Sequence, residues 1–117
     1  MNNGSTAQPS CTGAWKVQPG RSRLQRRICA DGYVGEYPYA GVVVVAEGLE
    51  PDEDPSAEIA VNTVRDVFAE GVAYGIEEAL ADAFREAADI IRRDGLAGCS
   101  AAAVAYCGTH AWFVSTG

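Results

Sequence analysis

Gly41-Val42-Val43-Val44-Val45-Ala46, followed by Glu47-Gly48, decides how this chain of 117 residues is read. Four consecutive valines are branched at Cβ and stiff about the first side-chain torsion, so they favour extended backbone. The run shows no alternation of apolar and polar residues. It therefore predicts a strand over 41–46 covered on both faces. The strand is expected to stop at Glu47-Gly48 and deliver a carboxylate to a loop. From Glu47 the chain carries five carboxylates and two prolines: Glu47, Glu50, Pro51, Asp52, Glu53, Asp54 and Pro55. No regular structure is expected over 49–55.

Downstream the period changes from strand to helix. Ser56 suits an N-cap, and Ala57-Glu58 suits a first helical turn. Ala57, Ala60, Val61, Val64, Val67 and Phe68 then form one apolar stripe that Gly71 ends. A second helix is predicted over 76–93, with Ile76, Leu80, Ala83, Ala87, Ile90 and Ile91 on its apolar face. Glu77 and Glu78 stand near its start and Arg92 and Arg93 near its end, as the helix dipole favours. Gly95 closes it. Small apolar residues over 100–107, a turn at Gly108-Thr109-His110 and a return over 111–115 predict a hairpin.

Upstream, 14–34 mixes Trp15, Val17, Leu24, Ile28, Tyr33 and Val34 with four of the chain's nine cationic residues, Arg21, Arg23, Arg26 and Arg27. One or two strands are expected there, with a turn at Pro19-Gly20 and another over 35–39. Residues 1–13 are polar and read as a flexible tail. Two adjacent helices between sets of strands predict an α/β (α+β) fold with a helix pair packed on an antiparallel or mixed sheet.

A chain of this length makes one domain. Its formal net charge of −7 and pI of about 4.5 oppose whole-domain binding to nucleic acid or to an anionic membrane, because the long-range field repels phosphate. No stretch approaches the length of a membrane span, and the first residues lack the pattern of a signal peptide. A cytoplasmic location is expected. Cys11, Cys29, Cys99 and Cys107 form no C-x-x-C pair, and His110 is the sole histidine. They are expected as buried or half-buried thiols, and His110 as an exposed turn residue, rather than as a zinc site.

Several local patterns together resemble the N-terminal half of the PP2C (PPM) type of metal-dependent protein serine/threonine phosphatases. Arg26-Arg27-Ile28-Cys29-Ala30-Asp31-Gly32-Tyr33 is similar to the family's first motif, an Arg before a Glu-Asp pair. Val43-Val44-Val45-Ala46-Glu47-Gly48 is similar to its apolar strand ending in Asp-Gly. Ala60-Val61-Asn62-Thr63-Val64 resembles the helix that follows. Gly98-Cys99-Ser100 stands where the family has Gly-Thr-Thr, and Trp112-Phe113-Val114-Ser115-Thr116-Gly117 resembles the strand that leads into Gly-Asp-Ser-Arg. The resemblance covers 20–117 and implies a partial β-sandwich with a two-helix layer on its sheet.

It also implies a chemistry. Two Mn²⁺ or Mg²⁺ ions share a water that loses a proton near neutral pH and attacks phosphorus in line. Hard cations take oxygen ligands, and an Arg holds phosphate through paired hydrogen bonds. The resemblance assigns Arg26 to the phosphate, Asp31 and Glu47 to metal, and the Gly48 carbonyl as a further ligand. Beside these stand plainer readings: an exposed Arg face, an Asp-Gly turn residue and a solvated carboxylate.

The departures are equally specific. Ala30 replaces an acid, Glu47 is one methylene longer than the family's Asp, and 49–55 replaces its glycines and histidine. The family's later aspartates lie on strands beyond Gly117. Expected, then, is a pseudophosphatase-type interaction or regulatory module, incomplete and inactive by itself, that self-associates or binds a protein through an open edge and an uncovered apolar sheet face. The alternatives are the N-terminal fragment of an active phosphatase acting on phosphoproteins, and an unrelated α/β binding module.

Overall fold

The structure is a computed structural model that describes residues 20–21, 26–35, 40–51 and 54–116. The expected tail over 1–13, the Pro19 half of the first turn, 36–39, Cys11, Arg23, Asp52 and Glu53 lie outside the described residues. The strands are β1 Gly20–Arg21, β2 Arg26–Val34, β3 Ala40–Pro51, β4 Cys99–Cys107 and β5 His110–Thr116. The helices are α1 Ser56–Gly71 and α2 Ile76–Arg93, joined by a short 3-10 turn, Val72–Tyr74. The fold is α+β, as expected.

The strands pair antiparallel in the order β1-β2-β3-β4-β5, with β1 a two-residue addition at one edge. The helix pair forms the β3-to-β4 connection and packs on one face. Side chains alternate between faces along each strand. Cys29, Val42, Val44, Ala46, Ala101, Ala103 and Ala105 point to the helices and are buried. The small residues of β4 let α1 approach. From that helix Ala57, Ala60, Val61, Val64 and Phe68 meet the sheet, and Leu80, Ala83 and Ala87 of α2 complete the core. Tyr33 packs edge-on against Phe68, with ring centroids 6.4 Å apart.

β3 corrects two expectations. It is covered on one face only: Val43 and Val45 are 37% and 43% exposed, whereas Val42 and Val44 are fully buried. It also continues past Glu47 to Pro51. Gly48 pairs with Cys99, and the Leu49 N–H donates to the Gly98 carbonyl. An available neighbouring strand extends the ladder through residues with little strand propensity of their own. At the other end, the β4–β5 hairpin turns on Gly108, whose φ of 59° suits the first position of a two-residue hairpin loop.

Ser56 is the first helical residue rather than the cap. Pro55 holds the cap position and makes no side-chain cap bond; just before it, one Asp54 carboxylate oxygen accepts the Ser56 N–H and the other the Ala97 N–H, each at 2.9 Å. The buried Ser56 hydroxyl oxygen accepts the Gly98 N–H at 2.9 Å. Two loops distant in sequence are thus clamped at the end of β3. The Ser56 hydroxyl, with the backbone N–H groups of Ala97 and Ser56, holds the Asp54 carboxyl below the usual carboxylate range. A carboxyl with a depressed folded pKa adds stability at pH values above its unfolded pKa of about 3.9. That contribution is lost as pH falls through the folded value. Asp54→Ala is expected to cost about 1 kcal/mol at neutral pH, the usual net worth of hydrogen bonds to a solvent-accessible side chain. Urea unfolding measured from pH 7 to pH 3 should show a flatter acid limb for the variant than for the parent.

Candidate functional site

The residues assigned by the phosphatase resemblance separate across the sheet. Register places Asp31 opposite Val44 and Glu47 opposite Ile28. Val44 points into the helix-covered core, so Asp31 points there too. Glu47, three positions further along β3, points to the opposite face. The two carboxylates expected to share metal therefore do not meet. Gly48 follows Glu47 in the strand and is buried. Arg26 is placed by its backbone alone, opposite Pro51 and next to a register irregularity; its side chain lies outside the described residues.

Asp31 is 7% exposed and both of its oxygens are engaged. Oδ1 accepts the Gly32 N–H at 2.7 Å, and Oδ2 accepts from the Arg65 guanidinium. Arg65 comes from α1, so the pair pins β2 to the helix layer. Its Nε also donates to Asp66 Oδ1 at 2.8 Å. The Asp66 hydrogen bond, with the Asp31 bond and both negative charges, raises the Arg65 pKa above its usual value against the cost of burial. A cation at Asp31 would have to displace this guanidinium. Arg65 was not among the sequence candidates.

Glu47 is half-buried. Its cross-strand neighbours on the same face are Ile28 and Ser100. Two divalent cations need several converging carboxylates. Among the described residues no group of three or more His, Cys, Asp or Glu side chains could hold a metal ion. The described side chains do not fit the two-metal centre.

None of Cys29, Cys99 and Cys107 forms a disulfide. Cys99 borders an apolar cleft of about 360 Å³ between α2 and β4, and burial pushes its thiol pKa up. A thiol so shifted holds less of the reactive thiolate. His110 is exposed and stacks on Trp112 with ring centroids 6.2 Å apart.

What remains is the sheet face turned away from the helices. Cross-strand register sets it out in rows: Gly32-Val43-Val104-Phe113, Ala30-Val45-Ala102-Ser115 and Val34-Gly41-Tyr106-Ala111, with Ile28-Glu47-Ser100 at one end. Phe113 is 77% exposed. Beside it a shallow trough of about 340 Å³ runs between Val43, Val45, Ala102 and Val104. Tyr106 lies over Gly41: a Cβ added at Gly41 would come within 2.5 Å of the Tyr106 ring carbon Cζ, so a larger residue there would push the tyrosine ring aside. Among the described side chains on these rows, Glu47 is the single charge. A solvent-facing antiparallel sheet ordinarily alternates apolar and polar residues; this one is apolar on both sides.

Comparison with family models, with curated proteins and with solved structures finds no match. No helix among the described residues is long and apolar enough to cross a membrane.

Proposed function

We infer that this chain is a PP2C-like half-domain that works by protein interaction and does not turn over phosphate by itself. The observation that carries this reading is the open sheet face: Val43, Val45 and Phe113 are exposed, and Val104 half-buried, on the side opposite the helix layer. Contiguous exposed apolar surface of this kind marks interaction sites. Two antiparallel sheets pack face to face at about 10 Å through such surfaces. A second sheet laid here would complete a sandwich whose outer layer is the α1–α2 pair.

The separation of Asp31 from Glu47 supports the inactive half of this reading, because metal-assisted attack on phosphorus needs its carboxylates at one centre. The chain with millimolar Mn²⁺ is expected to release no phosphate from a phosphothreonine peptide above the rate in buffer. Calorimetric titration with Mn²⁺ should give no saturable heat. Turnover that disappears in Glu47→Ala would refute the interaction-only reading and favour the fragment of an active phosphatase.

A further inference from the structure

We propose that the open sheet face binds a second copy of this chain, forming a two-fold face-to-face sandwich with the helix pairs outside. The proposal rests on the interaction reading above and names its partner. Three observations favour a second copy. The face carries both a knob and a hollow: Phe113 is exposed, and it forms one wall of the trough between Val43, Val45, Ala102 and Val104. Two-fold symmetry requires one patch to match itself. It lets each copy's Phe113 enter the other's trough.

Charge is the second observation. The chain carries a net charge of −7, which repels copies of itself at long range. The acidic residues of α1 and α2 stand on the side away from the open face, and among the described side chains of the rows only Glu47 is charged, at one end. Face-to-face packing therefore sets the charged helix layers as far apart as the two sheets allow. The third is area. Four strands spaced about 4.8 Å apart and paired over about seven residues give about 450 Å² of flat face per copy. Side-chain relief brings the pair to about 1,000 Å² of buried surface, the lower bound for a biological interface and the size of a weak, reversible one.

Sedimentation equilibrium on the chain at neutral pH, from about 1 to 100 μM, tests this. A monomer–dimer equilibrium is expected. Phe113→Lys should leave a monomer with the parent's circular dichroism, because the introduced charge would be buried only in the dimer. Should that variant not fold, Phe113→Ala, which removes the knob without adding charge, should weaken association tenfold or more. A dimer indifferent to both substitutions would place the contact away from this face and overturn the proposal. A monomer at 100 μM that binds a dye for exposed apolar surface, with binding lost in Phe113→Lys, would overturn the second copy and leave the face to another protein. A monomer that binds no such dye would overturn both this proposal and the interaction reading beneath it.

Discussion

Phe68→Ala should remove about 3–5 kcal/mol of unfolding free energy, whereas Phe113→Ala should change it by no more than about 0.5 kcal/mol in the monomer. The two residues are the same side chain on opposite sides of the sheet. Phe68 is fully buried between α1 and the sheet, edge-on to Tyr33. Truncating it deletes the transferred apolar surface and leaves a cavity that the surrounding helices and strands fill only partly. Phe113 is 77% exposed, so its loss leaves no internal void. Domains of this size hold about 5–15 kcal/mol in total. Phe68→Ala should therefore bring the chain close to its folding threshold, and Phe113→Ala should not. Urea unfolding at low micromolar concentration, below any self-association, measures both. Equal costs at the two positions would mean that the helices cover the wrong face.

The helices and the hairpin were legible because their information is local. The stripe from Ala57 to Phe68 repeats at helical spacing, and α2 runs Ile76–Arg93 as the periodicity and its end charges predict. The hairpin follows from Gly108 between two apolar runs. The valine run of β3 was legible as a strand but not as a one-sided one. An apolar run reports that both faces are apolar, and it cannot report whether both are covered. The missing cover is the property from which the functional proposal grows. The extension of β3 to Pro51 was hidden because it depends on distant partners: Cys99 of β4 for Gly48, and Arg26 of β2 for Pro51.

The site residues failed to meet for a related reason. A local motif places Asp31 and Glu47 one at a time, but register decides which face each occupies. With Ile28 opposite Glu47, every second residue of β2 joins Glu47's face, and Asp31 falls on the other. The partner that Asp31 does have, Arg65, is 34 positions away. One signal could have found it. Arg65 lies four residues after Val61 and three before Phe68, on the border of the buried stripe, where a long cationic side chain can reach beneath a helix.

Arg65→Met should cost about 2–3 kcal/mol, since the substitution keeps the length of the side chain and removes the charge that faces Asp31. Asp31 is 7% exposed, so a carboxylate left there without the guanidinium bears its desolvation cost with one backbone N–H in compensation. The partial exposure of Arg65, 29%, keeps the loss below that of a fully buried pair. Asp31→Val should be milder, because valine matches the neighbouring Val44 and strands a guanidinium that can turn to Asp66 and water. The double variant Asp31→Val, Arg65→Met should recover most of the loss, as replacing a buried pair by apolar groups often does. A double-mutant cycle by urea unfolding isolates the coupling, expected at about 2–3 kcal/mol. The same cycle separates the two roles open to Asp31. If the carboxylate serves to hold β2 against α1, Mn²⁺ leaves every stability in the cycle unchanged. If it can serve as a metal ligand, freeing it in Arg65→Met should create a site, and millimolar Mn²⁺ should raise that variant's midpoint and not the double variant's. The geometry favours the first outcome, because Asp31 lies opposite Val44 on the helix-covered face, and among the described residues no group of three or more His, Cys, Asp or Glu side chains could supply a cation with the roughly six oxygens it needs.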